Sequence, residues 1–220
     1  MSPSPFDPAF EDLPDVLPIF PLAGVLLLPG GTLPLNIFEP RYLAMVDAVL
    51  AGDRIIGMVQ PAKGDEEMDV PALAPIGTAG RISSFSETLD GRYLITLTGI
   101  CRFRIEAETT SGTPYRTCRI ACAPFVHDLE PNRGENGVDR ERLLELLRAY
   151  LDSRELEVDW QEVHGSSTES LVNALSILSP YGPDEKQALL EAPDLRTRAE
   201  ILIALTEMAL GGGESGNVLQ

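Results

Sequence analysis

Few residues of this 220-residue chain have the type and spacing that chemistry requires. Cys118 and Cys122 stand with three residues between them, with Cys101, His127 and His164 as conceivable further metal ligands. Side chains alternate faces along an extended segment, so that spacing puts both sulfurs on one side with Ile120 between them, whereas structural zinc uses a tight knuckle. The cysteines therefore read as small buried hydrophobes, and neither metal nor cofactor is expected. The two lysines, Lys63 in an acidic segment and Lys186 in a surface-type helix, read as solvated charges. No Gly-x-x-x-x-Gly-Lys-Ser/Thr loop is present to cradle phosphates, and no Gly-x-Ser-x-Gly elbow presents a nucleophile. The chain is expected not to be an enzyme, and no catalytic residue is assigned.

Binding chemistry is better represented, in the apolar run from Leu17 to Leu43, which five prolines interrupt. Ile19, Phe20 and Leu22 form a short strand beside Pro21, and because proline cannot donate to a ladder this strand is expected at an edge or a bulge. Pro29-Gly30-Gly31 is a turn, Leu33 to Phe38 a second strand, and Pro40 opens a helix to about Leu50. Glu39 is expected to serve the free amides of that helix, and Arg41 to pair with a carboxylate or carbonyl that fixes the helix. Alternatively the two charges grip a ligand. An edge strand at Pro21 and an apolar turn at Leu28-Pro29 would leave a patch suited to extended polypeptide. The candidate binding residues are thus Phe20, Pro21, Leu22, Leu28, Pro29, Phe38, Glu39, Arg41 and Tyr42.

Further elements must hold this stretch. The helix from Pro40 carries Tyr42, Leu43, Val46, Val49 and Leu50 at helical spacing, and Arg54 to Val59 is an apolar strand. Pro61 to Pro75 reads as an acidic surface loop. Ile76 to Thr88, Arg92 to Thr98 and Ile100 to Thr109 are strands rich in β-branched and aromatic residues, with a hairpin turn at Asp90-Gly91. Phe103 and Ile105 alternate with Arg102, Arg104 and Glu106, which predicts one core face and one solvent face. Tyr115 to Ala123 is another strand. Helical patterns follow: Asp139 caps a helix bearing Leu143, Leu144, Leu147 and Leu151, and Ser166 with Glu169 forms a capping box before Leu171 to Leu178. A short helix spans Glu185 to Glu191, and Asp194 caps a last one to about Leu210.

Phe20-Pro-Leu22, Leu28-Pro-Gly-Gly31 and above all Ile37-Phe-Glu-Pro-Arg-Tyr-Leu43 resemble the opening of the amino-terminal, substrate-binding domain of the Lon ATP-dependent proteases. The resemblance continues through Gly77 to Ile82, Asp90 to Tyr93, Thr98 to Phe103, and the helical run Asp184 to Arg198. It implies a β-barrel of the pseudouridine-synthase-and-archaeosine-transglycosylase (PUA) type followed by a helical bundle. It also implies a recognition module standing alone, because the ATPase loop and a serine–lysine pair are missing from a chain this short.

The charge balance, 17 Lys and Arg against 34 Asp and Glu, gives a net charge of −17. That field repels nucleic-acid phosphate and anionic membrane and favours basic partners. No stretch reaches the roughly 18 apolar residues of a membrane helix, and the first residues lack a signal core, so a cytoplasmic location is expected. Three widely spaced cysteines fit reduced thiols.

The expected architecture is α+β: a tail at residues 1–15, a PUA-like β-barrel with one helix over 16–123, a bundle of about four helices over 124–210, and a second tail at 211–220. The expected function is non-catalytic binding of unfolded or degron-bearing polypeptides, as an adaptor or regulator alongside a separate ATP-dependent protease. The alternative is a small-molecule or nucleotide sensor, with RNA binding third. Oligomeric state is not specified by the sequence.

Overall fold

The computed structural model describes residues 10, 13–65, 70–130 and 132–214. The six strands among these residues are β1 (Val16–Pro21), β2 (Thr32–Ile37), β3 (Ile55–Val59), β4 (Ile76–Glu87), β5 (Tyr93–Thr109) and β6 (Arg116–Ala121), with α1 (Pro40–Leu50) between β2 and β3. Helices α2 (Arg140–Ser153), α3 (Trp160–Gly165), α4 (Thr168–Leu178), α5 (Pro183–Glu191) and α6 (Leu195–Glu214) follow two 3-10 turns at Ala123–Leu129 and Glu135–Gly137. Strands first and helices after is the α+β order expected.

The sheet runs β2-β5-β4-β3-β1-β6, and β6 pairs back onto β5, so the strands curl round on themselves without making a regular barrel. All pairings are antiparallel except β1 with β3. The irregularity lies in β5. It pairs with β2 up to Thr98, with β4 up to Arg104 and with β6 from Arg104 on, with register shifts against β4 between Ala79 and Gly80 and between Ile82 and Ser84, and against β6 between Ile105 and Ala107. The segments Arg92 to Thr98 and Ile100 to Thr109 are thus one strand, joined at Gly99. A Cβ on Gly99 would lie 2.1 Å from the Leu28 carbonyl oxygen, so only glycine lets the Leu28–Gly31 turn cross there.

β1 occupies the middle of the sheet order, not an edge. Its prolines are still accommodated as proline requires, because β6 covers Val16 to Ile19 and β3 covers only Ile19 to Pro21. Pro18 and Pro21 each fall where one neighbour is missing, so neither breaks a ladder on both sides.

Helix α1 begins at Pro40, as expected, and buries Tyr42, Met45, Val46 and Val49. With Phe20, Ile37, Ile56 and Leu97 they form one core cluster on its side of the sheet. A second cluster joins the sheet interior (Leu17, Ile19, Phe103) to the helices (Val172, Leu189, Leu202), so sheet and helices share a core. Asp139 caps α2 by accepting from Arg142 N at 3.0 Å, and Asp194 serves α6 by accepting from Thr197 N at 2.8 Å. Ser167, not Ser166, caps α4, accepting from Ser170 N at 3.1 Å. Helix α3 makes a fifth helix; it starts at Asp159, which accepts from two backbone amides, and buries no side chain, so no apolar stripe announces it.

Two charges read as solvated are buried. Arg102 is 3% exposed, because the outer side of β5 at that point is covered by the first 3-10 turn and by the end of α5. Its Nε and Nη2 donate to the Asp128 carboxylate at 2.8 Å each, and its backbone N to the same carboxylate at 2.9 Å. Nη1 donates to the Leu190 and Ala192 carbonyl oxygens at 2.9 and 2.5 Å, satisfying groups that the end of α5 leaves open. Lys186 is 9% exposed, its ammonium 3.4 Å from the Ile177 carbonyl oxygen at the end of α4, and desolvation lowers its pKa. Buried Gln60 and Asn173 complete the seam. Gln60 Nε2 donates to Pro183 O at 3.0 Å, and Asn173 Nδ2 to Pro29 O at 3.1 Å.

Of the two expected tails, residues 1–9, 11, 12 and 215–220 lie outside the described residues. Leu13 packs on the core, the Asp15 carbonyl accepts from Ile120 N at 2.9 Å, and α6 continues through Gly211 to Glu214. Glycine makes a helix costlier without forbidding it.

Removing one partner of the Arg102–Asp128 pair strands the other charge in the seam. Asp128→Ala is expected to lower stability by about 3–5 kcal/mol in urea denaturation, whereas Arg196→Ala, at an exposed pair with Glu200, should leave the midpoint unchanged.

Candidate functional site

A hollow of about 420 Å³ opens where β6 stops short of the end of β1. β6 begins at Arg116, opposite Ile19, so among the described residues Phe20 and Pro21 have no strand partner on that flank. The walls are Pro21, Leu22 and Ala23 on one side and Pro114, Tyr115 and Arg116 on the other. Pro61, Val70 and Pro71 close a third side, and Arg41 and Tyr42 at the start of α1 complete the lining.

Tyr42 is only 7% exposed; its ring lies 4.4 Å from that of Phe20, and the Arg41 guanidinium sits 4.6 Å above it. Burial raises its hydroxyl above the usual tyrosine range, with Arg41 and Arg116 pulling the other way and Glu39 adding to the rise, so the hollow presents a neutral phenol. Arg116 organises the rim. Its Nε and Nη2 donate to the Glu108 carboxylate at 2.7 and 2.6 Å while Nη1 donates to Pro71 O at 2.6 Å, holding Pro71 against β6. The bidentate pair holds the Glu108 carboxyl below its usual range.

Pro21, Leu22, Arg41 and Tyr42, all singled out from the sequence, line this hollow. Phe20 lies beneath it in the α1 cluster. Glu39 does not cap α1 with its side chain; its carboxylate takes Arg41 Nε at 2.9 Å, two residues away, so Arg41 does not fasten the helix to the sheet. Phe38 is 62% exposed outside the lining, 6.0 Å from the Arg92 guanidinium. Leu28 and Pro29 are buried under α4 and away from the hollow. The other wall, Pro61, Pro71, Pro114, Tyr115 and Arg116, went unseen in the sequence. Each belongs to a loop or strand end with no apolar run around it, and only the prolines punctuating both loops hinted at rigid walls.

A second hollow of about 480 Å³ lies on the outer face of β2, β5 and β4, among Pro34, Asn36, Ser84, Ser86, Leu94 and Thr96. No charged side chain lines it. No His, Cys, Asp and Glu grouping suited to a metal ion occurs among the described residues. All three cysteines are buried and free. No helix among the described residues is long and apolar enough to cross a membrane.

The model of the ATP-dependent protease La (LON) substrate-binding domain matches residues 16–207, and the chain belongs to that family. It is 28% identical over 205 residues to Lon protease 2 of Myxococcus xanthus, covering 89% of this chain and 24% of that protein. With Lon protease of Anaeromyxobacter dehalogenans it shares 27% identity over 201 residues, covering 89% and 23%. The chain thus spans about a quarter of the length of these relatives. Among solved structures, a Lon N-terminal domain protein from Xanthomonas campestris superposes with a TM-score of 0.62 at 25% identity, covering 86% of this chain and 97% of that one. The N-terminal domain of a Mycobacterium avium complex Lon protease superposes with a TM-score of 0.65 at 19% identity, covering 87% and 98%, a likeness of fold.

The Glu108 pKa is lowered in the folded protein, so the Arg116 bond is intact above the ordinary carboxyl range and is lost as pH falls through the depressed value. In a carboxyl NMR titration, Glu108 should protonate below the ordinary glutamate range, and Arg116→Gln should return it to that range.

Proposed function

We propose that this member of the LON substrate-binding domain family binds extended, unfolded polypeptide, with an apolar side chain seated in the hollow between the end of β1 and the start of β6. The observation that carries this reading is the coincidence of a ready-made hollow walled by prolines and tyrosines with four residues of the family-like stretch, Pro21, Leu22, Arg41 and Tyr42. Prolines and short strand ends make these walls stiff, so binding costs little ordering of the site. Pro21 offers no N–H on the open flank, which disfavours adding a whole strand and leaves side-chain insertion as the mode of recognition. The net charge of −17 favours basic segments around the inserted side chain and disfavours RNA.

The relatives carry the name of Lon protease, and on that basis the clients are unfolded or degron-bearing proteins on their way to degradation. This chain acts on them without catalysis, in the cytoplasm, as an adaptor or regulator that delivers clients to an ATP-dependent protease or withholds them from it. A second reading, a sensor of a small molecule or nucleotide, is favoured by one observation: about 420 Å³ is within the usual volume of compact-ligand pockets. A saturable thermal shift with a metabolite panel would move that reading forward.

Fluorescence anisotropy of a labelled, permanently unfolded polypeptide should show saturable binding, with none for a folded version of the same chain. Leu22→Asp, at a half-buried wall position, should weaken binding about tenfold or more, the scale of one apolar side chain lost from a pocket, in a protein that stays folded. Absence of binding to either form by the folded wild type would contradict the polypeptide reading.

A further inference from the structure

Helix α2 ends at Ser153, and the chain turns through Glu155, left-handed at φ 56°, before the extended backbone of Asp159 opens α3. Every residue from 152 to 159 is exposed. Leu156 and Val158 are among them at 54% and 38%, so the connection holds two neighbouring apolar side chains in water. Its backbone is open as well. Among the described residues, the N–H and C=O groups of Glu157 and Val158 have no hydrogen-bond partner, which is the condition of an uncovered sheet edge.

Leu156 and Val158 alternate with Glu155, Glu157 and Asp159, the period of a strand with one apolar and one acidic side. Trp160, the only tryptophan of the chain, follows at the next step of the apolar row, half-buried with the Arg148 guanidinium 4.7 Å from its ring. Tryptophan and arginine are common anchors of interfaces. When a strand is added to such a segment, the free backbone groups supply affinity and the alternate side chains supply selectivity.

Charge selects the occupant. Residues 154–159 carry three carboxylates against one guanidinium, Arg154, which lies 5.6 Å from the Tyr150 ring. Asp159 is engaged as the cap of α3, whereas Glu155 and Glu157 make no ion pair among the described residues. A second copy of this chain is a poor partner, because aligning the apolar positions of two such segments antiparallel sets carboxylates against carboxylates.

We propose that residues 155–160 dock an extended segment of a partner protein in which lysine or arginine alternates with aliphatic residues, taken up as an added strand. The basic side chains meet Glu155 and Glu157, and the aliphatic ones lie along Leu156, Val158 and Trp160. None of these residues lines the hollow between β1 and β6, so this surface stands apart from the polypeptide reading given to that hollow.

Trp160 is a built-in reporter. The test titrates the full chain, at low ionic strength, with the capped peptide Lys-Val-Lys-Leu-Lys-Val and reads tryptophan emission. A saturable change is expected, weakening with added salt and absent with Glu-Val-Glu-Leu-Glu-Val or Lys-Pro-Lys-Pro-Lys-Pro. Glu155→Lys with Glu157→Lys, at exposed positions that leave the fold intact, should lower the affinity about tenfold, the scale of two surface ion pairs lost and reversed. Leu22→Asp should leave the response unchanged. No change in Trp160 emission, an equal response to either control peptide, insensitivity to the double charge reversal, or loss of the response in Leu22→Asp would each overturn the proposal.

Discussion

A guanidinium placed between a sheet and a helix must be neutralised and fully hydrogen-bonded, and Arg102 sets the terms on which the two halves of this chain meet. Its charge is met by Asp128 from the turn after β6, and its remaining donors close the end of α5. Arg198, also buried nearby, donates to the Leu189 carbonyl oxygen and to the Asn173 side chain, which itself reaches Pro29, while its Nη2 has no partner among the described residues. These bonds are directional where the shared apolar core is not. The leucine cluster drives the halves together, and the arginines define how they sit.

That arrangement has a consequence at the opposite end of β1. Because β1 is locked between β3 and β6 over different halves of its length, its last residues run on past β6 and leave a gap. Arg116 and Glu108 hold the gap open at the rim, and Gln60 bridges from the Gly24 amide to α5, so the loop forming one wall is tied to the helices. The proposed polypeptide seat is thus a by-product of how proline is fitted into the sheet.

Local chemistry made part of this legible. Pro40 and the spacing of Tyr42, Val46 and Val49 announce α1, Asp90-Gly91 announces the β4–β5 hairpin, and the motif from Ile37 to Leu43 identifies the family. Arg102 was misread because its alternation with Phe103 speaks only of the sheet, whereas the cover over it comes from Leu190, 88 residues on. The pair Leu28 and Pro29 fails for the same reason, lying under α4, whereas Lys186 is buried against the end of α4 only 9 residues earlier. The site divides likewise. The half from one continuous stretch, Pro21 to Tyr42, was visible, and the half from Pro61, Pro71, Tyr115 and Arg116 exists only once three segments converge.

The central claim is that polypeptide is taken up at this hollow and not at the second hollow on the outer face of β2, β5 and β4. Amide NMR spectra of the full chain, titrated with an unfolded polypeptide, test it most directly. The account predicts shifts concentrated at Leu22, Ala23, Tyr42, Tyr115 and Arg116, with Asn36, Ser84, Ser86 and Thr96 unmoved. Shifts confined to those four residues, or binding that leaves the hollow unperturbed, would contradict it.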